Sequence, residues 1–362
     1  IPGTNMCVPC CFKDWDKPDQ VRLRGECLPT GTEKERDDKP VRKAKKRKLK
    51  LAAKIDEYVK GPEKFPLEPE RLGYLPVAIQ KFLHTDNKKC QVSNLDTNIK
   101  KDTPCIIRMG AEYSENQSFI AALATALADP GKREAPKTIK KMKEALLSGL
   151  DLDKYTRLQN GNLVDIFDSG EKIDVSKYTG TQLFESLERS NPDELNLLKK
   201  AVRSFENYKR FIESDDVLID YQYTWDLVTM SNDNVFAQGI NLVIIEIRRD
   251  DITDNVHIIC PSNHYASTFF DVNKRACILI KRGDLYEPVI TYEDKGSKYV
   301  ITKLFSLKYK GILPNLKSVL DTIKISMNDK CRPLPSKPRV YKFLTNVDLE
   351  KVVHIVKLKK FK

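Results

Sequence analysis

Histidine is scarce in this chain, with only four among 362 residues. Its imidazole is the side chain that changes charge most readily near neutral pH, so most acid–base schemes that depend on it are disfavoured. His84, His257 and His354 lie in apolar surroundings, which indicates core or surface roles. His264 is the only one in a polar turn, and a structural role is the stronger prediction there as well.

Three further absences narrow the range of possible functions. The chain has no glycine-rich phosphate loop, which argues against a nucleotide-driven motor. It has no apolar run long enough to cross a bilayer and no signal peptide, so we predict no membrane contact and a reducing compartment. The nine cysteines are odd in number and irregularly spaced, which argues against a framework of disulfides.

Cysteine is concentrated at the start of the chain, where residues 6–13 read MCVPCCFK and a lone Cys27 follows. A C-x2-C pair turns the backbone so that two thiolates reach one tetrahedral ion. Cys7 forms such a pair with Cys10 or Cys11, and Cys27 supplies a third ligand. We therefore predict a structural Zn2+ site. A catalytic zinc is disfavoured, because no histidine or carboxylate cluster lies nearby in the sequence.

The spacing does not identify the fourth zinc ligand. The candidates are the other member of the Cys10–Cys11 pair, Cys90, and a residue upstream of Ile1, since the chain starts without an initiator methionine. The alternative to a metal site is a set of free, partly buried thiols.

Most of the net charge of +12 lies in one short segment. Residues 41–54 hold no acid and eight cations, namely Arg42, Lys43, Lys45, Lys46, Arg47, Lys48, Lys50 and Lys54. Subtracting these eight from +12 leaves only +4 for the rest of the chain. Such a basic arm predicts sequence-independent affinity for phosphates. If all eight charges contact duplex DNA, the logarithm of the binding constant falls with the logarithm of the salt concentration with a slope of about −7. A nuclear-localisation peptide and a solvated linker or helix face are the alternatives.

Composition divides the chain into four regions. Residues 1–29 are the cysteine and zinc module, 30–69 a basic charged linker, 70–330 the main domain, and 331–362 a proline-rich linker into further protein. In the main domain helical patterns come first and buried strand patterns later, which is typical of α+β domains. The predicted fold class is therefore α+β, with a small zinc-binding module and a basic linker preceding a helix-rich domain with a mainly antiparallel sheet.

Local signals predict individual elements of the main domain. Proline suits the first turn of a helix, asparagine suits its cap, and short apolar runs bounded by turn residues indicate strands. In chain order these signals predict a helix from Pro76, an extended segment over 104–109, a helix near Ser118, a helix over 192–213 capped by Asn191, strands over 241–247 and 256–260, a hairpin around Gly283, and a helix over 316–327.

Two of these elements resemble the active-site layout of ovarian-tumour-type cysteine peptidases. They are a helix opened by ENQSFIAAL (115–123) and a strand–turn–strand through IKRGDLYEP (280–288). In that family a cysteine nucleophile lies at the helix N-terminus, where the dipole lowers its pKa, and a histidine begins the later strand. Here those positions hold Ser118 and Leu285. The resemblance implies a scaffold without activity, because leucine accepts no proton and serine without a base is a poor nucleophile.

Four blocks of sequence are distinctive in combination. They are MCVPCCFK (6–13), RLGYLPVAIQKFL (71–83), PCIIRMG with NQSFIAAL (104–110 and 116–123), and ILIKRGDLYEPV (278–289). Together they resemble the large subunit of the early transcription factor of nucleocytoplasmic large DNA viruses, and look most like its giant-virus or asfarvirus-type branch. Proteins of that family are far longer than 362 residues, so the resemblance implies an internal segment.

The resemblance implies a promoter-binding initiation factor without catalytic activity in this chain. Such a factor pairs with an ATPase small subunit and recruits the viral RNA polymerase, in the virion and in the host cytoplasm at the viral factory, with the host nucleus as a further location. The rival hypothesis is a virion structural or scaffold protein whose basic arm binds the genome without sequence preference. A third is an active peptidase or nuclease, which turnover of a generic substrate would reveal.

Overall fold

The computed structural model describes residues 59–331, apart from 94–95, 128–134, 189, 249–254, 262–263, 267 and 297. The α-helices of this part are α1 Val77–Phe82, α2 Ser118–Leu127, α3 Ile139–Ser148, α4 Leu152–Tyr155, α5 Asn162–Ile166, α6 Gln182–Ser186, α7 Pro192–Glu213, α8 Tyr221–Thr229 and α9 Pro314–Lys330. The strands are β1 Leu72–Gly73, β2 Cys105–Met109, β3 Ile240–Ile247, β4 Val256–Ile258, β5 Arg275–Arg282, β6 Leu285–Asp294 and β7 Tyr299–Thr302. No helix of the described residues is long and apolar enough to cross a membrane.

The strands form one sheet in the order β1-β2-β6-β5-β3-β4, and β7 also pairs with β6. Strands β3 and β5 are parallel, and the other neighbouring pairs are antiparallel. The predicted α+β class with a mainly antiparallel sheet is therefore confirmed. The predicted hairpin is present as β5 and β6, which meet at Gly283 with a φ of 63°, a conformation that glycine adopts without strain.

Strand β6 pairs with three other strands of the sheet. One of its edges pairs with β2 along residues 289–292. The other pairs first with β5 along residues 285–288 and then with β7 along residues 291–294. Two different environments therefore lie along one strand: its first residues face the N-terminus of α2, and its last residues form a hairpin with β7.

Alternation along β2 separates two apolar clusters, because successive side chains of a strand point to opposite faces. Ile106 packs into the main core with the helices. Cys105, Ile107 and Met109 face the other way, into a smaller cluster that also contains Val59, Leu72, Tyr74, Cys90, Ile99, Ile290 and Tyr292. Both faces of this part of the sheet are thus covered, which explains why every residue of β2 is buried.

The two best-predicted helices form for different reasons. Helix α2 is apolar on all sides, and each side chain from Phe119 to Leu123 is fully buried, as expected for a helix at the centre of a core. Helix α7 is amphipathic and buries Leu198 and Val202. Its predicted cap is confirmed: Asn191 Oδ1 accepts from Asp193 N at 3.0 Å.

Residues 59–69, which the sequence assigns to the linker, are part of the folded domain. Val59 and Leu67 are 2% and 3% exposed. Lys60 N donates to Leu72 O at 2.9 Å, which ties this segment to β1. The charged and proline-rich composition of the region hid these contacts, because a few apolar side chains suffice to dock an extended segment against a sheet.

Two further expectations are corrected. Strand β4 is a short, partly exposed edge strand, and not the buried strand predicted over residues 256–260, because it has a pairing partner on one side only. Disulfides, which the cysteine spacing disfavoured, join Cys90 to Cys105 and Cys260 to Cys331. Cys277 is free and buried, and burial raises the pKa of its thiol to about 12.

Candidate functional site

The predicted zinc and nucleic-acid residues lie outside the described part of the chain. This applies to Cys7, Cys10, Cys11 and Cys27 and to the basic arm from Arg42 to Lys54. Cys90, one candidate for the fourth zinc ligand, is bonded to Cys105 and so does not supply a thiolate in this structure. Within residues 59–331, as far as they are described, no group of three or more His, Cys, Asp or Glu side chains is placed to hold a metal ion.

Ser118 and Leu285, the two positions singled out by the peptidase-like layout, come together in the structure. Ser118 is the first residue of α2, and Leu285 is the first residue of β6. The hydroxyl of Ser118 accepts a hydrogen bond from the backbone N–H of Tyr286, at 2.9 Å. Residues far apart in sequence therefore meet at one point, where a helix N-terminus faces the start of a strand.

Among the described residues, the hydrogen-bond partners of Ser118 do not include a base. Ser118 is 6% exposed, and its oxygen is occupied as an acceptor by Tyr286 N–H. In the described part of the chain its hydroxyl has no imidazole or carboxylate partner to remove its proton. Activation of a serine requires such a base within hydrogen-bond reach. The arrangement supports packing of α2 on β6 and does not assemble a nucleophile.

Charged and titratable groups surround the start of β6. Burial is the main cause that raises the pKa of Tyr286, and the nearby carboxylates of Asp220, Asp284 and Glu246 raise it further. Burial likewise raises the pKa of Asp220. Glu246 Oε1 lies 2.6 Å from Lys281 Nζ, so this nearby cation is already paired. Arg282 and Lys281 of β5 lie opposite Leu285 and Tyr286, so charges of both signs are found at this end of β6.

His264, the one histidine in a polar turn, forms a buried pair with Asp226 of α8. The two side chains are 4% and 1% exposed, and His264 Nδ1 is hydrogen-bonded to Asp226 Oδ1. The imidazole stacks on Phe269 with ring centroids 4.8 Å apart. Carboxylate–imidazole pairs orient catalytic bases in many enzymes, but this pair is enclosed in the core. Its placement indicates a structural role, in which it holds the turn of His264 against α8.

The second oxygen of Asp226 holds the backbone of two other segments. Asp226 Oδ2 accepts from Gln159 N at 2.6 Å and from Tyr265 N at 3.0 Å. Gln159 and Asn160 have φ values of 48° and 55°, in the left-handed region that non-glycine residues seldom adopt. Asn160 Nδ2 in turn donates to His264 O at 2.8 Å. Asp226 thus stabilises a strained turn from outside it.

Sequence inspection missed Asp226, although a signal was present. The residue follows the buried Trp225 in an apolar helix, and a lone carboxylate in such a place needs partners. The Asn-Gly pair at residues 160–161 also marks a left-handed turn. Neither signal tells which distant backbone groups the carboxylate receives, so the sequence alone does not reveal the link.

We expect Ser118→Ala to lower the free energy of unfolding by about 1–3 kcal/mol without removing any hydrolytic activity, because it leaves a buried backbone N–H without an acceptor. Chemical denaturation measures the first effect, and turnover of generic peptide and ester substrates tests the second. Ser118→Cys is the matched control, since a thiol at a working site of this layout would be reactive. Hydrolysis by the unmodified chain that disappears in Ser118→Ala would contradict the interpretation.

Comparisons of the whole chain with models of known families, with characterised proteins and with solved structures give no match.

Proposed function

We propose that this chain is a non-catalytic segment of a viral early transcription initiation factor that binds promoter DNA and helps to recruit the viral RNA polymerase. The observation that carries the proposal is the concentration of eight cations, without an acid, in residues 41–54 of a chain whose net charge is +12. Counterions released from DNA phosphates favour binding of such a segment to any duplex. The four sequence blocks described above supply the transcriptional context.

The surroundings of Ser118 support the non-catalytic part of the proposal. The serine hydroxyl accepts a hydrogen bond from a backbone N–H, and the position expected to carry a base is Leu285. A helix end and a strand end held together in this way suit a rigid platform for protein contacts. In the proposed factor, this platform serves the viral RNA polymerase and the ATPase small subunit.

The proposal includes one structural Zn2+ held by Cys7, Cys27 and at least one of Cys10 and Cys11. A segment as short as residues 1–29 has little core of its own, so its folding depends on the metal. Promoter specificity arises outside the basic arm, because no asparagine, glutamine or aromatic residue lies between residues 41 and 54 to read base edges. The virion and the viral factory in the host cytoplasm are the proposed locations.

We expect simultaneous replacement of Lys45, Lys46, Arg47 and Lys48 by alanine to weaken binding to all duplexes about equally. Each lost phosphate contact makes the log–log salt slope less steep by about 0.9, so the slope should become less steep by about three to four units. Fluorescence anisotropy of a labelled promoter duplex and of a scrambled duplex, at several salt concentrations, measures both effects.

The matched control removes four charges from the folded domain, through Lys137, Lys140, Lys172 and Lys177, all exposed. This control should leave the salt slope unchanged. An unchanged slope in the arm variant would refute phosphate contact by the arm and favour an import signal or a tether. Equal affinity of the unmodified chain for promoter and scrambled duplexes would favour the rival function, a virion scaffold that binds the genome without sequence preference.

A further inference from the structure

A groove of about 730 Å3 lies beside the β6–β7 hairpin. One wall is the hairpin face that carries two cross-strand pairs, Thr291 with Thr302 and Glu293 with Val300. The floor includes Phe305, and the other wall is the segment of residues 306–313. The groove therefore lies at the last residues of β6, whereas Ser118 lies at its first. It is a separate feature of the domain.

The lining of this groove carries more positive than negative charge. Three cations line it, Arg275, Lys295 and Lys308, against one acid, Glu293. Glu293 is 3.4 Å from Lys295 and is thereby neutralised. Lys308 donates to the neutral side chain of Asn273, and Arg275 is exposed at the start of β5. Neither of these two cations is paired with a carboxylate in the described residues, so the groove presents free positive charge.

An exposed aromatic ring stands at the rim of the groove and is held in place. Tyr309 is 64% exposed, which is unusual for a large ring. A methyl group on Gly311 would lie 2.6 Å from the Tyr309 ring, so the ring rests against the backbone of Gly311. Two turns fix this segment: Tyr309 N donates to Ser306 O at 3.1 Å, and Ile312 N donates to Tyr309 O at 3.2 Å. A ring fixed in this way loses little entropy on stacking.

We propose that this groove binds single-stranded nucleic acid, with phosphates on Arg275 and Lys308 and a base stacked on Tyr309. Free cations beside an exposed ring are the combination that single-strand binders use, because the cations hold the backbone and the ring accepts any base. A duplex offers no unstacked base face to the ring. A peptide of acidic residues alone offers carboxylates to the cations but carries no base to stack on the ring. The proposal is independent of the basic arm, which consists of other residues.

The experiment uses the full chain with all eight cations of the basic arm replaced by alanine, so that the arm does not mask the groove. The probes are labelled oligo(dT) and oligo(rU) of about 12 nucleotides, within the site size of single-strand binders, and a DNA duplex of equal length. We expect measurable binding of one or both single strands and weaker binding of the duplex. Preference for oligo(dT) or oligo(rU) identifies the strand as DNA or RNA.

Three variants test the parts of the groove. Tyr309→Ala should weaken single-strand binding by at least about fivefold, since stacking on one base contributes about 1 kcal/mol or more, whereas Tyr309→Phe keeps the ring and should bind normally. Arg275→Ala with Lys308→Ala should make the salt slope less steep by about 1.4 units. The exposed pair Lys172→Ala with Lys177→Ala is the charge-matched control and should change nothing.

Several results would overturn the proposal. They are absence of single-strand binding by the arm-neutralised chain, equal affinity of Tyr309→Ala and the parent, preference for the duplex, and tighter binding of a polyglutamate peptide of equal charge. None of these results bears on duplex binding by the basic arm, which the arm variant tests separately. Tyr309 is exposed and its side chain lies outside the core, so its replacement should not unfold the domain. Near-ultraviolet and far-ultraviolet circular dichroism check that point.

Discussion

Glu287→Gln is expected to lower the free energy of unfolding of the domain by about 3–5 kcal/mol, because it leaves the charge of Arg108 buried without a counter-charge. Arg108 of β2 lies opposite Val289 of β6, two residues beyond Glu287 on the same strand. The side chains of Arg108 and Glu287 are 0% and 1% exposed, and Arg108 Nη1 is hydrogen-bonded to Glu287 Oε2. Urea denaturation of the full chain at neutral pH, followed by circular dichroism, measures the effect.

The contacts around this ion pair explain the size of the expected effect. Arg108 Nε donates to Tyr74 O at 2.9 Å, and Arg108 Nη2 donates to the backbone carbonyls of Gly61 and Lys64. Glu287 Oε1 accepts from Leu67 N at 2.5 Å. The pair therefore holds the segment that precedes β1 against the sheet. Loss of the ion pair should release residues 59–67 from the sheet and should also leave the charge of Arg108 without a partner.

A control for this prediction is present on the same strand. Glu293 of β6 forms a partly exposed pair with Lys295, so Glu293→Gln should change stability by about 0–1 kcal/mol. In addition, the double variant Arg108→Met with Glu287→Met should lose less unfolding free energy than the two single variants lose in sum. The reason is that the double variant buries no lone charge. Equal small effects of Glu287→Gln and Glu293→Gln would show that the buried pair does not hold the fold.

The sequence predicted the helices and strands of this domain better than the long-range contacts between them. Local signals located α2, α7 and the β5–β6 hairpin, because apolar periodicity, a capping asparagine and a turn glycine act over a few residues. The same signals, together with the peptidase-like layout, placed Ser118 and Leu285 as counterparts, and the structure brings them together.

The contacts that the sequence did not predict join residues far apart in the chain. The Arg108–Glu287 pair joins residues 179 positions apart, and the disulfide between Cys260 and Cys331 spans 71 positions. Arg108 is the one charged residue of β2, and Glu287 is the one charged residue among the first eight of β6. These charges in apolar surroundings were a visible signal for the ion pair, since buried charges need partners. The disulfide pairing had no such signal, because cysteine spacing alone does not determine which thiols meet.

Asp226→Ala is the second change with a large expected effect, a loss of about 3–5 kcal/mol in the free energy of unfolding. The carboxylate accepts from the buried backbone N–H of Gln159 and from the partly buried N–H of Tyr265, and it is hydrogen-bonded to the His264 ring. Each buried donor left without an acceptor costs about 1–3 kcal/mol. The left-handed turn at Gln159 also loses the contact that stabilises it.

Asp226→Asn separates the structural role of Asp226 from a catalytic one. Asparagine keeps an oxygen that accepts from the two backbone N–H groups, and its amide can donate to a neutral His264 ring that carries its proton on the other nitrogen. We therefore expect Asp226→Asn to retain most of the stability that Asp226→Ala loses, as measured by urea denaturation. Asp216, an exposed carboxylate, provides the control, since Asp216→Ala should change stability by about 0.5 kcal/mol or less. If Asp226→Ala were as mild as this control, the strained turn would be held by other contacts. If Asp226→Asn were as damaging as Asp226→Ala, the carboxylate itself, and not only an acceptor oxygen, would be required at this position.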